Sequence, residues 1–223
     1  GVGFPEEVCR EVYDSDLHHD LVFTTETGVY GGMPAPGVYF GAAVNPDRFE
    51  TSAWMFRFYK EHLDTAVLGF LQIDSHGNVN VSRRGPGIKD YVGPGGFPSI
   101  IQSARTVIFI GTWMAGADWE VEDGRLKLQK PGRPKFVGEV DEVTFNGARG
   151  LADGKQVYYV TSVGVFRLTH DGLEMIRRMP GVDLERDVMA HAEARLNIPK
   201  DIPVVDASVV TGEKFRLTWP DGA

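Results

Sequence analysis

Few side chains in this sequence combine into a reactive group, and most of the combinations fail on spacing. Six histidines are present. His18 and His19 are neighbours that would face different ways on a regular element, while His62, His76, His170 and His191 stand alone. No HxH, HExxH or Cys/His spacing occurs, so no metal site is expected. The single cysteine, Cys9, forms neither an internal disulfide nor a thiolate cage and fits a reducing compartment, here the cytoplasm. A serine nucleophile would call for G-x-S-x-G after a strand, and there is none. Gly1-Val2-Gly3 lacks the third glycine of a dinucleotide fingerprint.

What remains is a carboxylate. Glu26 sits between Thr24-Thr25 and Thr27, after an apolar and β-branched run at 21–25 that reads as a strand, and ahead of Gly28 and Gly31-Gly32. A glutamate at a strand end of an open α/β sheet, beside backbone that allows close approach, can act as nucleophile or general base. Taken alone, an exposed glutamate before a loop explains the feature as well. A second motif, Gly93-Pro94-Gly95-Gly96-Phe97, opens a helix expected over 98–104. Its amides would then face a bound anion or a developing oxyanion. Phosphate cradles and plain tight turns share that pattern.

The elements that must position these groups follow from periodicity. A helix is expected over 6–13, with Pro5 in its first turn and Glu6 and Glu7 near the positive end of its dipole. Strands at 67–73 and 79–82 form a hairpin across Asp74-Ser75-His76-Gly77-Asn78. The run from Thr106 to Ile110 reads as a buried strand directly after the helix at 98–104. Strand, loop, helix, strand predicts an α/β fold with an open, largely parallel sheet and flanking helices. From Trp119 the pattern alternates, with strands at 119–121, 125–128, 136–145, 156–161 and 165–169, predicting a β-rich meander region. A helix is expected over 183–196 with Asp183 as its N-cap.

Composition excludes several classes. The chain has 223 residues, 42% hydrophobic and 24% charged, which suits a globular domain rather than disorder or a fibrous repeat. No apolar run approaches the ~18 residues of a membrane-spanning helix. With 23 Lys+Arg against 31 Asp+Glu the net charge is −8, and basic residues cluster no further than Arg83-Arg84 and Arg177-Arg178, so a nucleic-acid partner is not expected. The opening at Gly1, mid-pattern, reads as a cut or processed end. Residues 1–223 are read as a single domain, with no linker that would force two.

Together the motifs resemble the catalytic, C-terminal half of family I coenzyme A transferases. The resemblance rests on Thr24-Thr25-Glu26-Thr27-Gly28 with Gly31-Gly32, on Gly69-Phe70-Leu71-Gln72-Ile73-Asp74, and on Gly77-Asn78-Val79-Asn80-Val81-Ser82. Gly93-Pro94-Gly95-Gly96-Phe97 and Lys135-Phe136-Val137 follow in the same order. It is nearest the single-chain type acting on short-chain acids such as propionate or acetate. The resemblance implies that Glu26 is the nucleophile, forming a glutamyl-CoA thioester in a ping-pong transfer between an acyl-CoA and a free acid. It implies oxyanion or CoA-facing amides at Gly95 and Gly96, with Asn78 and Asn80 nearby. No tightly bound cofactor or metal is implied; acyl-CoA is a substrate.

The resemblance further implies an N-terminal half, upstream in the same chain or in a second subunit, and an oligomer. Where this type commonly has a glycine triplet before Leu-Asp, the chain has Lys60-Glu61-His62 before Leu63-Asp64, adding bulk and charge to a region expected to be small. Two other readings use the same residues: an acyl-CoA hydrolase acting through Glu26, and a noncatalytic half that only binds acyl-CoA.

Overall fold

The computed structural model describes residues 3–219; Gly1 and Val2 of the first glycine cluster lie outside them. Helix α1 (Phe4–Asp14) forms as predicted, with Pro5 in its first turn and Pro5 and Val12 buried. Helix α2 (Ser52–His62) was not anticipated. Thr51 caps it, its hydroxyl accepting from the Trp54 N–H at 3.1 Å. The sequence hides this helix because its aromatics do not form a single stripe: Trp54 and Phe58 stack on one another at 5.0 Å while Met55 and Tyr59 are the buried pair. Helices α3 (Phe97–Ser103) and α4 (Gly147–Ala152) are short.

Six strands make one sheet: β1 (Thr65–Leu68), β2 (Thr106–Ile110), β3 (Gln156–Val160), β4 (Gly164–Thr169), β5 (Gly172–Arg178) and β6 (Leu196–Asn197). They lie side by side in chain order. The pairs β1–β2, β2–β3 and β5–β6 are parallel, while β3–β4 and β4–β5 are antiparallel. The α/β expectation therefore holds with a correction: the sheet is mixed, and the meander of β3 to β5 continues the parallel part. The cause is local. Thr161 closes a tight turn by donating its hydroxyl to the Gly164 carbonyl at 2.9 Å, and so short a connection returns the strand antiparallel.

Alternate residues bury one side of the sheet: Val107 and Phe109, Val157 and Tyr159, Phe166 and Leu168, Leu173 and Met175. Trp113 and Phe136 complete that core, with ring centres 4.3 Å apart and Trp113 stacked on Phe166 at 5.6 Å. Tyr159 is fully buried, yet its hydroxyl is satisfied, donating to the Gly77 carbonyl at 2.7 Å.

Several expected elements differ. Residues 21–25 form no strand; Thr24 makes one isolated bridge to Tyr30, because the Thr25 N–H already turns back to the Val29 carbonyl at 3.0 Å. The run at 67–73 divides, its first part joining the sheet as β1 and Gln72–Ile73 pairing with Val79–Asn80 as the hairpin. Residues 136–145 are not a strand but contribute two bridges to that hairpin, Ile73 with Phe136 and Val79 with Phe145. The helix expected at 183–196 is capped by Asp183 as predicted, but it is a wide turn at Leu184–Val188 followed by a 3-10 turn at Met189–His191. Strand β5 was missed because Ile176 and Arg177 break the alternation that Leu173, Glu174 and Met175 keep.

Candidate active site

Glu26 is carried by a turn rather than by a strand end. The turn is closed by Thr25 N–H to Val29 C=O at 3.0 Å and Gly28 N–H to Thr25 C=O at 3.2 Å. Two hydroxyls lock it from the side. Thr27 donates to the Gly41 carbonyl at 2.8 Å, so the 2.7 Å contact between Thr25 and Thr27 has Thr25 as donor, and Thr25 in turn accepts from the Val29 N–H at 3.4 Å.

The glycines after Glu26 allow close approach, as the sequence had suggested, and what they meet is the returning chain. Gly28 has φ +125° and lies against the Glu50 backbone, whose N–H donates to the Gly28 carbonyl at 2.8 Å. Gly31 lies against Asp47 and Gly32 against the Val44 and Asn45 carbonyls. Beyond them, Val29–Tyr30 pairs with Arg48–Phe49, and the Arg48 guanidinium stacks over Tyr30 at 4.1 Å and Trp54 at 4.8 Å.

The second glycine motif meets the first. A side chain at position 96 would collide with Glu26 Oε2, and its Cβ would stand 2.6 Å from Phe56 Cζ and 2.9 Å from Glu26 Cδ. A Cβ at Gly95 would stand 3.8 Å from Glu26 Oε1. The Glu26 carboxylate thus rests on the Gly95-Gly96 backbone, with Phe56 of α2 beside it. The loop lies toward the C-terminal edge of the parallel strands, where Phe97 packs on Phe109 of β2 at 6.0 Å and where open α/β sheets carry their ligands. Glu26 reaches this edge from outside the sheet.

Tyr59, buried one turn beyond Phe56, also faces this turn. Burial pushes its phenol up; a hydrogen bond with the Thr24 side chain acts the other way, and the nearby Glu26 charge raises it further. Sequence reasoning missed both aromatics because it missed α2. A capping threonine ahead of the apolar pair Met55 and Tyr59, four residues apart, was the available signal.

Asn78 and Asn80 are placed in the frame beneath the site. The Asn78 amide donates to Asp74 at 2.9 Å and accepts from the Gly147 N–H at 3.0 Å, tying the hairpin turn to α4. Asn80 is fully buried and bonded at both ends of its amide. Lys60, Glu61 and His62 form the exposed last turn of α2.

Lys135 is half-buried, its ammonium 4.1 Å above the Phe70 ring, and burial lowers it to about 8. Among the described residues, one group of side chains has metal-ligand proximity, Asp16, His18 and His19. Contrary to expectation, the two histidines face one another, with ring centres 3.9 Å apart.

No family model matches the chain. Two curated proteins are similar over most of it: caffeate CoA-transferase of Acetobacterium woodii, 36% identical over 94% of this chain and 41% of that protein, and acetate CoA-transferase YdiF of Escherichia coli strain K12, 34% identical over 100% and 42%. The chain thus spans about two-fifths of their length. The crystal structure of the acyl-CoA transferase YdiF apoenzyme from Escherichia coli O157:H7 superposes with a TM-score of 0.84 at 33% identity, over 94% of this chain and 40% of that one. The decarboxylase AibA/AibB shares the fold alone, with a TM-score of 0.70 at 17% identity. In sequence and fold together, the chain is similar to about two-fifths of the length of proteins named as CoA-transferases.

Proposed function

We propose that these residues form the glutamate-bearing half of an enzyme that moves coenzyme A from an acyl-CoA to a free carboxylic acid, with Glu26 as the nucleophile. The observation that carries this reading is the Glu26 carboxylate seated on Gly95 and Gly96. A carboxylate that attacks the thioester carbonyl forms a mixed anhydride as the C–S bond breaks and CoA leaves as thiolate. The thiolate then attacks the glutamyl carbonyl of that anhydride, giving a glutamyl-CoA thioester and releasing the first acid. An acceptor acid attacks this thioester, and the same two steps run in reverse deliver the new acyl-CoA. Each addition places negative charge on a carbonyl oxygen, and backbone amides at the glycine loop are suited to receive it. The thioester free energy is conserved as long as water is kept out.

Enclosure is the part these residues leave open. Val38, Tyr39 and Phe49 are exposed on the loops that hold the Glu26 turn, and Ile88 is exposed ahead of the glycine motif. So much exposed apolar surface around a reactive group marks an interface. We assign it to the other half, upstream or in a second subunit, and to the acyl-CoA between them. A cytoplasmic location fits the single cysteine.

The deciding experiment is intact-mass analysis of the complete protein mixed with acyl-CoA and no acceptor. The expected result is one CoA-sized adduct, trapped and mapped to Glu26. An adduct on Cys9 or on a neighbouring threonine overturns the reading. Release of free acid and CoA at the same rate with and without an acceptor would instead identify a hydrolase.

A further inference from the structure

We infer that Asn80 is a positioning residue that sets the height of the Gly93–Gly96 loop against Glu26. The inference rests on the function proposed above and concerns a residue that touches no substrate in it.

Asn80 is 0% exposed. Its Nδ2 donates to Gln72 Oε1 and to the Arg83 carbonyl, both at 2.7 Å, and its Oδ1 accepts from the Ser82 and Arg83 N–H groups, both at 3.0 Å. Two donors and a twice-used acceptor exhaust the side chain, so it has nothing left to offer a ligand. Its first support is fixed as well: Gln72 Oε1 accepts from the Asp141 N–H at 3.0 Å, and Gln72 Nε2 donates to the Asp141 carboxylate at 3.0 Å.

On the other side stands Ser82, also 0% exposed. Its carbonyl accepts from the Val92 N–H at 2.7 Å and the Gly93 N–H at 3.2 Å, so the glycine loop hangs from Ser82 where Ser82 is held by Asn80. The Ser82 hydroxyl lies 3.1 Å from that of Thr144, which accepts from the Val81 N–H at 3.2 Å. Gly93 and Gly95 turn the loop, with φ of +76° and +56°, and the Phe97 N–H closes it on the Pro94 carbonyl at 3.2 Å. Phe97, packed on Phe109, fixes the far end of the loop, and Ser82 sets the height of its near end. The series runs Asn80, Ser82, Gly93, Gly96, Glu26, and Gln72 braces Asn80 on the side away from the loop. Slack at Asn80 becomes misplacement of the amides beneath the carboxylate, and a shift of about 1 Å in such a site costs about 10²-fold in rate.

The test compares Asn80→Ala, Asn80→Asp and Gln72→Met in the complete protein. Asn80→Asp keeps an oxygen for the Ser82 and Arg83 N–H groups and loses the two donors. Gln72→Met removes the support that leads away from the loop. We expect Asn80→Ala to lower kcat and the rate of Glu26 adduct formation by about 10²-fold, with KM for acyl-CoA within a few-fold. Asn80→Asp should recover a substantial part of kcat. Gln72→Met should lower the unfolding midpoint with kcat within a few-fold of the parent.

A folded Asn80→Ala with kcat near the parent overturns the inference. So does a Gln72→Met that loses as much kcat as Asn80→Ala, because that is general destabilisation. If Asn80→Ala does not fold, an Asn80→Asp whose kcat falls by about 10²-fold, although it keeps the oxygen that holds Ser82, overturns it. Failure of the underlying reading shows elsewhere, as undiminished transfer by Glu26→Gln.

Discussion

Glu26 and Gly96 compete for one volume: the glutamate carboxylate occupies the space that a Cβ at position 96 would take. The backbone at Gly96 is ordinary, with φ −78° and ψ −2°, so alanine there is sterically barred by its neighbours and not by its own conformation. Gly96→Ala should therefore leave the unfolding midpoint near the parent's while Glu26 is displaced and transfer falls by about 10² to 10³. Steady-state kinetics beside thermal unfolding checks both halves of that statement.

Gly95 makes the opposite case. Its added Cβ would have room at 3.8 Å from Glu26, but its φ of +56° is left-handed. Gly95→Ala should cost about 1–2 kcal/mol of stability and reduce turnover far less than Gly96→Ala, which denaturant titration and kinetics on the same preparations would separate.

Glu26→Gln removes the charge and should abolish both transfer and adduct. Glu26→Asp keeps the charge but withdraws it by one methylene from Gly96 and Phe56, so activity should fall by about 10²-fold while two-substrate kinetics remain ping-pong. Intact-mass spectra with acyl-CoA alone would show the adduct forming slowly in Glu26→Asp and never in Glu26→Gln.

Lys135 gives a pH signature. Its ammonium is lowered by burial from an ordinary 10.5 to about 8, so between those values the unfolded chain holds a proton that the folded chain has released. Stability from this group is then fully present above pH 10.5 and lost as pH falls through 8. Lys135→Met should raise stability at pH 7 and abolish this rise between pH 8 and 10.5, read as the difference in denaturation midpoint between parent and variant.

The parts of this architecture legible in the sequence were those fixed by neighbours along the chain. Pro5 with Glu6 and Glu7 marked α1, Thr106 to Ile110 marked β2, and Asp183 marked its cap, all confirmed by local geometry. The glycine motif ahead of α3 was legible for the same reason. Hidden were features decided across space. Residues 21–25 have strand composition, yet the Thr25–Val29 turn takes their hydrogen bonds. The glycines at 28, 31 and 32 announced close approach but not to what, and it proved to be the chain at 44–50. Phe56 was invisible as a wall of the site because only the folded chain sets it beside Gly96.

Packing of Gly28 on Glu50 has a consequence for engineering. The turn with Glu26, the paired segments at 29–30 and 48–49, and α2 with Phe56 and Tyr59 form one unbroken cassette between Thr24 and His62. A chimaera that exchanges this whole stretch with that of a homologue transplants the acid together with its aromatic wall, and has to match its new host beside Gly95 and Gly96. A crossover placed anywhere between Gly28 and Glu50 would split that inheritance and mismatch the graft with itself.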